Sequence, residues 1–171
     1  MGKRRTRRKR RAAFLQLRRV DQEIDAAFRD IEAELLPLCR DQGVGVIAYN
    51  PLAGGFLTGR YQSLETPPPE KTRFSIGKTG DLYRERYWQQ AQLEAVQHLE
   101  KYFKPRGKSI LQVAIAWVLA QKGITSAIVG ASKPEQLDAS LAAVNVTLDA
   151  DELAECHRAW YHLPRPMTPP K

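Results

Sequence analysis

The chain has 171 residues, of which 43% are hydrophobic and 27% charged, a composition typical of a single globular domain. Folding at this length buries about 70% of the unfolded surface, which is enough for a substantial core. With only Cys39 and Cys156, a disulfide framework is excluded, and neither cysteine sits in a metal-ligand cluster. A reducing, cytoplasmic compartment is therefore expected. No apolar run reaches the roughly 18–20 residues that span a bilayer, so no membrane association is predicted.

The formal net charge of +8 originates at one end of the chain. Residues 1–11 hold eight lysines and arginines and no acidic residue, and the rest of the chain is formally neutral. We predict that residues 1–28 are a disordered basic arm, because no aromatic residue interleaves these arginines as base stacking would require. The alternative is an arm that binds a phosphate-rich polymer such as nucleic acid. A secretory signal is not expected, since the short apolar run at 12–17 leads into Arg18 and Arg19.

Regular patterning begins at Asp30, and from there turn residues divide the chain into helices and two short apolar strands. Helical spacing, capping residues and apolar runs identify these elements. In chain order we first predict a helix that ends at Gly43, a buried strand at 44–49 and an irregular loop at 60–80. A long helix at 84–103 and a buried helix capped by Ser109, which ends at Gly123, come next. The last predicted elements are a buried strand at 126–129, a helix from Ser132 to about Ala143 and a helix from Asp149 to about Trp160.

Strands that alternate with helices indicate a parallel α/β arrangement. Ser132 with Glu135, and Asp149 with Glu152, have the spacing of capping boxes. Two parallel strands do not make a stable sheet, which normally needs three or more. The sequence therefore predicts a fold with further strands beyond these two.

In parallel α/β folds, ligands collect at the carboxyl ends of strands. After the first strand, Tyr49 can offer a flat face to a heteroaromatic ring, Asn50 and the glycines offer polar groups, and Arg60 and Arg73 can reach phosphates. The alternative is a core tyrosine with two solvated arginines.

The second strand ends in a similar way. Gly130 lets the backbone approach a ligand closely, Ser132 supplies a hydroxyl at a helix start, and Lys133 adds a positive charge. The first amides of a helix and its dipole favour an anion there. An ordinary capped helix without a ligand is the alternative interpretation.

A catalytic constellation is not predicted. His98, His157 and His162 lie in or just after predicted helices and are expected at the surface, and neither cysteine has an adjacent base. No catalytic residue and no metal site are therefore assigned.

Five segments together resemble the C-terminal part of the aldo-keto reductases, near the bacterial reductases related to potassium-channel β subunits. The likeness extends over residues 29–166 in the expected order, so we divide the chain into the arm at 1–28, a partial aldo-keto reductase domain at 29–166 and a tail at 167–171. The matching segments are residues 29–39 (RDIEAELLPLC), 47–59 (IAYNPLAGGFLTG), 112–117 (QVAIAW), 128–137 (IVGASKPEQL) and 163–165 (LPR).

The resemblance implies a (β/α)8 barrel that binds NADPH and transfers hydride to an aldehyde or ketone. The strand at 44–49 would be barrel strand seven, and the strand at 126–129 would be strand eight. A whole barrel needs roughly 250 residues, so the expected fold class is an α/β, incomplete, C-terminal portion of a (β/α)8 barrel.

The resemblance also implies a set of cofactor contacts. Tyr49 would stack on the nicotinamide, and Gly130, Ser132 and Gln136 would hold the adenosine 2′-phosphate and the adenine. Asn50, Pro51 and Leu52 would line the cofactor and its pyrophosphate. A loop that folds over the pyrophosphate would include Thr58, Arg60 and Arg73.

Two departures from the family pattern are expected to matter. Ala139 and Ser140 stand where many relatives carry a Glu-Asn pair near the adenine. The family's catalytic Asp, Tyr, Lys and His precede the matched segment. The resemblance thus predicts a truncated reductase, inactive as an isolated chain, that could associate with itself through exposed strand edges. The alternatives are a non-catalytic NADP(H)-binding module and a nucleic-acid-binding arm.

Overall fold

The computed structural model describes residues 29–161 and residue 163. The predicted arm at 1–28, the tail at 167–171 and His162 lie outside the described residues. Short 3-10 turns occur at Asp30–Glu32, Ala53–Thr58, Lys104–Arg106 and Ala142–Asn145. The regular elements in chain order are α1 (Leu35–Asp41), β1 (Val46–Tyr49), α2 (Gly77–Tyr87), α3 (Gln90–Phe103), α4 (Ile110–Ala120), β2 (Ile124–Ile128), α5 (Pro134–Leu141) and α6 (Ala150–Tyr161).

Strands β1 and β2 pair with each other in parallel and form a two-stranded sheet. Ala48 lies opposite Ala127 and Tyr49 opposite Ile128, with an irregularity between Val46 and Ile47. Parallel neighbours cannot be joined by a tight turn, and the connection here contains α2, α3 and α4. The parallel α/β arrangement expected from the sequence is confirmed.

The two faces of the sheet differ in burial. Val46 and Ala48 are fully buried on one face, α4 packs against β2, and Trp117 and Val118 of α4 belong to the same buried core. On the other face Ile47 is 48% exposed and Ile128 is 53% exposed. The prediction that the second strand is buried was wrong. An apolar strand sequence does not specify whether other elements cover both faces of the sheet, and here one face is left open.

The predicted single helix at 84–103 is two helices. α2 ends at Tyr87, and Gln89 caps α3 from an extended conformation. The break at Trp88 places the indole beside Phe56, Tyr61 and Phe74, with ring centroids 4.8–5.8 Å from that of Trp88. This aromatic cluster (Phe56, Tyr61, Phe74 and Trp88) fixes the otherwise irregular loop between β1 and α2.

The structure confirms two predicted helix caps. The Ser109 hydroxyl accepts from the Gln112 amide at 3.3 Å. The Asp149 carboxylate accepts from the Glu152 amide, and the Glu152 carboxylate from the Asp149 amide, both at 2.9 Å. This is the reciprocal geometry of a capping box.

The third predicted cap was wrong. α5 begins at Pro134 with Lys133 as its N-cap residue, so Glu135 does not complete a capping box with Ser132. Proline fits the first helical position because its missing N–H would have no intrahelical partner there.

His157 and Arg29 join the start of the described chain to α6. Arg29 donates to His157 Nδ1 at 2.7 Å, makes a bidentate ion pair with Glu32, and lies over the Trp117 ring. Burial, followed by the Arg29 guanidinium, lowers the pKa of His157, while the Glu32 carboxylate opposes this effect more weakly. The imidazole therefore accepts the Arg29 bond in its neutral form.

This geometry predicts acid sensitivity. The unfolded chain protonates His157 at a higher pH than the folded chain, so the free energy of unfolding should fall as pH drops below about 6.5. Urea titrations at pH 7.5, 6.5 and 5.5 measure this free energy of unfolding. In the His157→Gln variant, it should depend less on pH. An unchanged slope in that variant would contradict the role given to His157.

No helix in the described part of the chain combines the length and apolarity needed to cross a membrane. Cys39 and Cys156 are both buried free thiols. Burial raises the pKa of Cys156 to about 12, so its thiolate is not available for chemistry near neutral pH.

Candidate functional site

The carboxyl ends of β1 and β2 lie side by side. Since Tyr49 pairs with Ile128, the loops that come after the two strands leave the sheet from the same edge. The two candidate regions identified from the sequence therefore share one end of the molecule.

The turn after β1 is held by the side chain of Asn50. Asn50 has a left-handed backbone (φ 60°), its Oδ1 accepts from the Gly54 amide at 2.8 Å, and its Nδ2 donates to the Tyr87 hydroxyl at 3.3 Å. Asparagine tolerates this conformation better than most residues. Asn50 thus shapes the loop backbone, with both ends of its amide engaged by the protein.

Further along this loop, the candidate residues are anchored mainly by backbone contacts. Pro51 is buried and Leu52 half-buried. The Leu52 carbonyl accepts from the amides of Gly55 and Leu57, at 2.8 and 3.1 Å. Thr58 donates through Oγ1 to the Gly55 carbonyl at 2.8 Å. These bonds give the loop a fixed backbone path.

Tyr49 lies at the end of β1 among another tyrosine and two arginines. Tyr49 is half-buried, and the side chain of Tyr83 lies close enough to affect its ionisation. Burial and Tyr83 raise the pKa of Tyr49, while the positive charges of Arg86 and Arg73 lower it. Both arginines therefore act electrostatically on Tyr49, and the predicted cofactor contacts of Tyr49 and Arg73 stay predictions.

Arg60 is placed differently. Its exposed guanidinium lies 5.6 Å from the ring centroid of Tyr61, and its amide donates to Thr58 Oγ1 at 3.4 Å. Within the described part of the chain, Arg60 makes no hydrogen bond to Tyr49.

At the end of β2, the predicted anion-binding groups contact each other. The amide and the hydroxyl of Ser132 both donate to Gln136 Oε1, at 2.9 and 3.0 Å. Gly130, Ser132 and Gln136 are exposed, as is Lys133. An anion at this helix start would have to displace the Gln136 carbonyl oxygen, which satisfies the Ser132 donors in the structure.

Two features of this edge leave room and charge for a ligand. At Gly55 and at Gly130, no other atom lies within 4 Å of where a Cβ would be, so both loops leave open space beside their backbones. The half-buried Tyr49 ring and the Arg73 and Arg86 charges stand at the end of β1. An aromatic surface beside cations is the chemistry that an anionic heteroaromatic ligand needs.

Sequence reasoning missed Tyr83, Arg86 and Tyr87. They lie on α2, whose first four residues fall in the segment predicted to be a loop. Their spacing of three and four residues places them on one face of a helix, and this was the signal available in the sequence.

The described residues include no group of three or more His, Cys, Asp or Glu side chains arranged to hold a metal ion. His98 contacts the buried Glu155 at 2.5 Å between α3 and α6, and it is 60% exposed. His157 contacts Arg29 and Trp117. Neither histidine is hydrogen-bonded to Tyr49.

The fold and this edge define a parallel α/β protein with polar loops at the carboxyl ends of its strands. The profile of the Aldo/keto reductase family matches residues 9–160, so the chain belongs to this family. The predicted family is confirmed, and so is the predicted fold class, an incomplete C-terminal portion of a (β/α)8 barrel.

Three relatives illustrate the likeness. The L-glyceraldehyde 3-phosphate reductase of Escherichia coli O157:H7 is 35% identical over 71% of this chain and 35% of its own length. Aflatoxin B1 aldehyde reductase member 2 of Rattus norvegicus is 36% identical over 70% of this chain and 35% of its own length. Norsolorinic acid reductase B of Dothistroma septosporum is 34% identical over 80% of this chain and 32% of its own length. The chain thus spans about a third of the length of these curated relatives.

Proposed function

We propose that this chain is the NADP(H)-binding portion of an aldo-keto reductase that reduces an aldehyde or ketone in the cytoplasm. The observation that carries the proposal is the turn after β1, where the Asn50 side chain holds the Gly54 amide and Arg73 Cβ lies 3.4 Å from where a Cβ at Gly54 would be. The positive charges of Arg73 and Arg86 also act on Tyr49 at the end of this strand. Family membership and the three relatives described above, which are all reductases, support the reaction class.

In this proposal the residues divide the work of holding the cofactor. Tyr49 receives the nicotinamide, and Arg73 and Arg60, with the loop from Asn50 to Thr58, neutralise the pyrophosphate. Gly130, Ser132 and Gln136 receive the 2′-phosphate end. NADPH, when bound, supplies the hydride for the carbonyl carbon. The exposed Ala139 and the buried Ser140, whose hydroxyl donates to the Gln136 carbonyl at 2.9 Å, weaken the hold on adenine.

Binding can be measured by titrating the full chain with NADPH and following nicotinamide fluorescence. Arg73→Met should raise the Kd about tenfold, because it removes a charge-assisted hydrogen bond to a phosphate. The control is Arg106→Met, since Arg106 is an exposed arginine that contacts Tyr102 on α3. A flat titration at millimolar cofactor would overturn the proposal.

We further propose that the 171-residue chain does not turn over by itself. The family's proton donor and its partners precede the segment that resembles this chain, and losing even one donor to the developing oxyanion costs about 3–4 kcal/mol of transition-state stabilisation. When the purified chain is mixed with NADPH and test aldehydes, the rate of NADPH oxidation should not exceed that of a blank without protein. Turnover that disappears on changing Tyr49 or Arg73 would contradict this.

A further inference from the structure

Helix α2 lies against the turn that comes after β1, through two tyrosines. Tyr83 and Tyr87 are four residues apart and therefore share one face of the helix. Their ring centroids are 5.8 Å apart. Tyr87 is only 2% exposed, whereas Tyr83 is half-buried.

Tyr87 acts on the turn through Asn50. Its hydroxyl accepts from Asn50 Nδ2 at 3.3 Å, and Asn50 Oδ1 accepts from the Gly54 amide at 2.8 Å. The Asn50 amide thus bridges α2 to the loop backbone. This bridge fixes a residue whose left-handed φ of 60° few side chains adopt without support.

Tyr83 contacts the same turn and the tyrosine at the strand end. A Cβ at Gly54 would lie 2.5 Å from Tyr83 Cδ1, so this ring covers the loop backbone at a distance that only glycine allows. The side chain of Tyr83 also lies near the hydroxyl of Tyr49 and raises its pKa. One helix face therefore contacts both the turn and the strand-end ring.

We propose that Tyr83 and Tyr87 are positioning residues, which hold the Asn50–Gly54 turn and the Tyr49 ring in the arrangement that receives the dinucleotide. This inference rests on the proposed function only for the identity of the ligand. Tyr87 acts through Asn50, and Tyr83 acts through Tyr49. Neither tyrosine needs to contact the cofactor.

The first test uses the full chain without cofactor and measures hydrogen exchange at the Gly54 amide. Tyr87→Phe removes the acceptor for Asn50 Nδ2, so exchange at Gly54 should become about three- to tenfold faster. Tyr102→Phe, in the half-buried tyrosine of α3, is the control and should leave exchange at Gly54 unchanged. Unchanged exchange in Tyr87→Phe would overturn the inference.

The second test measures NADPH affinity by fluorescence titration. Tyr83→Phe and Tyr87→Phe should each raise the Kd about three- to tenfold, and Tyr102→Phe should not. In an Asn50→Gly background, Tyr87→Phe should have no further effect, and in a Tyr49→Phe background the same holds for Tyr83→Phe. Effects that persist in these backgrounds would show that the tyrosines do not act through Asn50 and Tyr49, and would overturn the inference.

The two tests separate this inference from the proposed function. Faster Gly54 exchange in a chain that does not bind NADPH supports the positioning role and overturns the proposed function. Cofactor binding that is equally tight in all three variants supports the proposed function and overturns the positioning role.

Discussion

Replacing Phe74 with alanine is expected to lower the free energy of unfolding by about 3–5 kcal/mol, the usual cost of deleting a buried phenylalanine. Phe74 is fully buried, and its ring contacts those of Phe56, Tyr61, Tyr83 and Trp88 with centroids 5.1–6.0 Å apart. Domains of this size are stable by only about 5–15 kcal/mol, so the variant should be close to unfolding. Urea denaturation followed by tryptophan fluorescence measures the loss.

The same substitution tests whether the aromatic cluster supports the candidate site. Arg73 precedes Phe74 directly, and Tyr83 contacts it, so loss of the ring should also weaken NADPH binding in the molecules that stay folded. Leu82→Ala is the control, because Leu82 is 55% exposed and its truncation should change stability little. If Phe74→Ala lowers the free energy of unfolding by less than about 1 kcal/mol, the loop is not held by this cluster.

A second large effect is expected from Glu152→Gln. Glu152 is only 4% exposed, and its carboxylate accepts from Lys108 Nζ at 2.5 and 2.6 Å and from the Asp149 amide at 2.9 Å. The substitution keeps the size of the side chain but leaves the Lys108 charge without its partner. Breaking a buried pair costs about 3–5 kcal/mol, and we expect the lower end because Lys108 remains 24% exposed.

Urea denaturation of this variant should be compared with that of Glu135→Gln, an exposed position in the first turn of α5. The control should stay within about 0.5 kcal/mol of the parent chain. If Glu152→Gln and Glu135→Gln lower the free energy of unfolding equally, the buried pair makes no special contribution to stability. Replacing both partners with Met and Leu should recover much of the stability, since no unpaired charge is then buried.

Much of the fold was predictable because local patterns dictate it. The apolar run that ends at Tyr49, the Ser109 cap, and the Asp149 and Glu152 capping box all depend on residues close together in sequence. The break at Trp88 was missed, because a helical pattern continues across it and only the packing of the indole into the aromatic cluster interrupts the helix.

The candidate site was predictable only in part. The positive charge of Arg73 acts on Tyr49, whereas Arg60 lies over Tyr61, and Ser132 and Gln136 bond each other. The contributions of Tyr83, Arg86 and Tyr87 were missed, since they depend on α2 folding back onto a turn more than thirty residues earlier in the chain. The cofactor contacts of these residues, the arm at 1–28 and self-association remain predictions.

By itself, the sequence determined that the chain belongs to a parallel α/β family of reductases, where its strands and most caps lie, and which loops come after the strands. The family follows from the resemblance of five segments and the profile match, whereas the strands, caps and loops follow from spacing and residue type within short windows. Only the tertiary structure decided which face of the sheet is covered, where the long helix breaks and which side chains surround Tyr49. These features depend on contacts between distant segments, and the free energy of such contacts is set by burial and packing that no local pattern encodes.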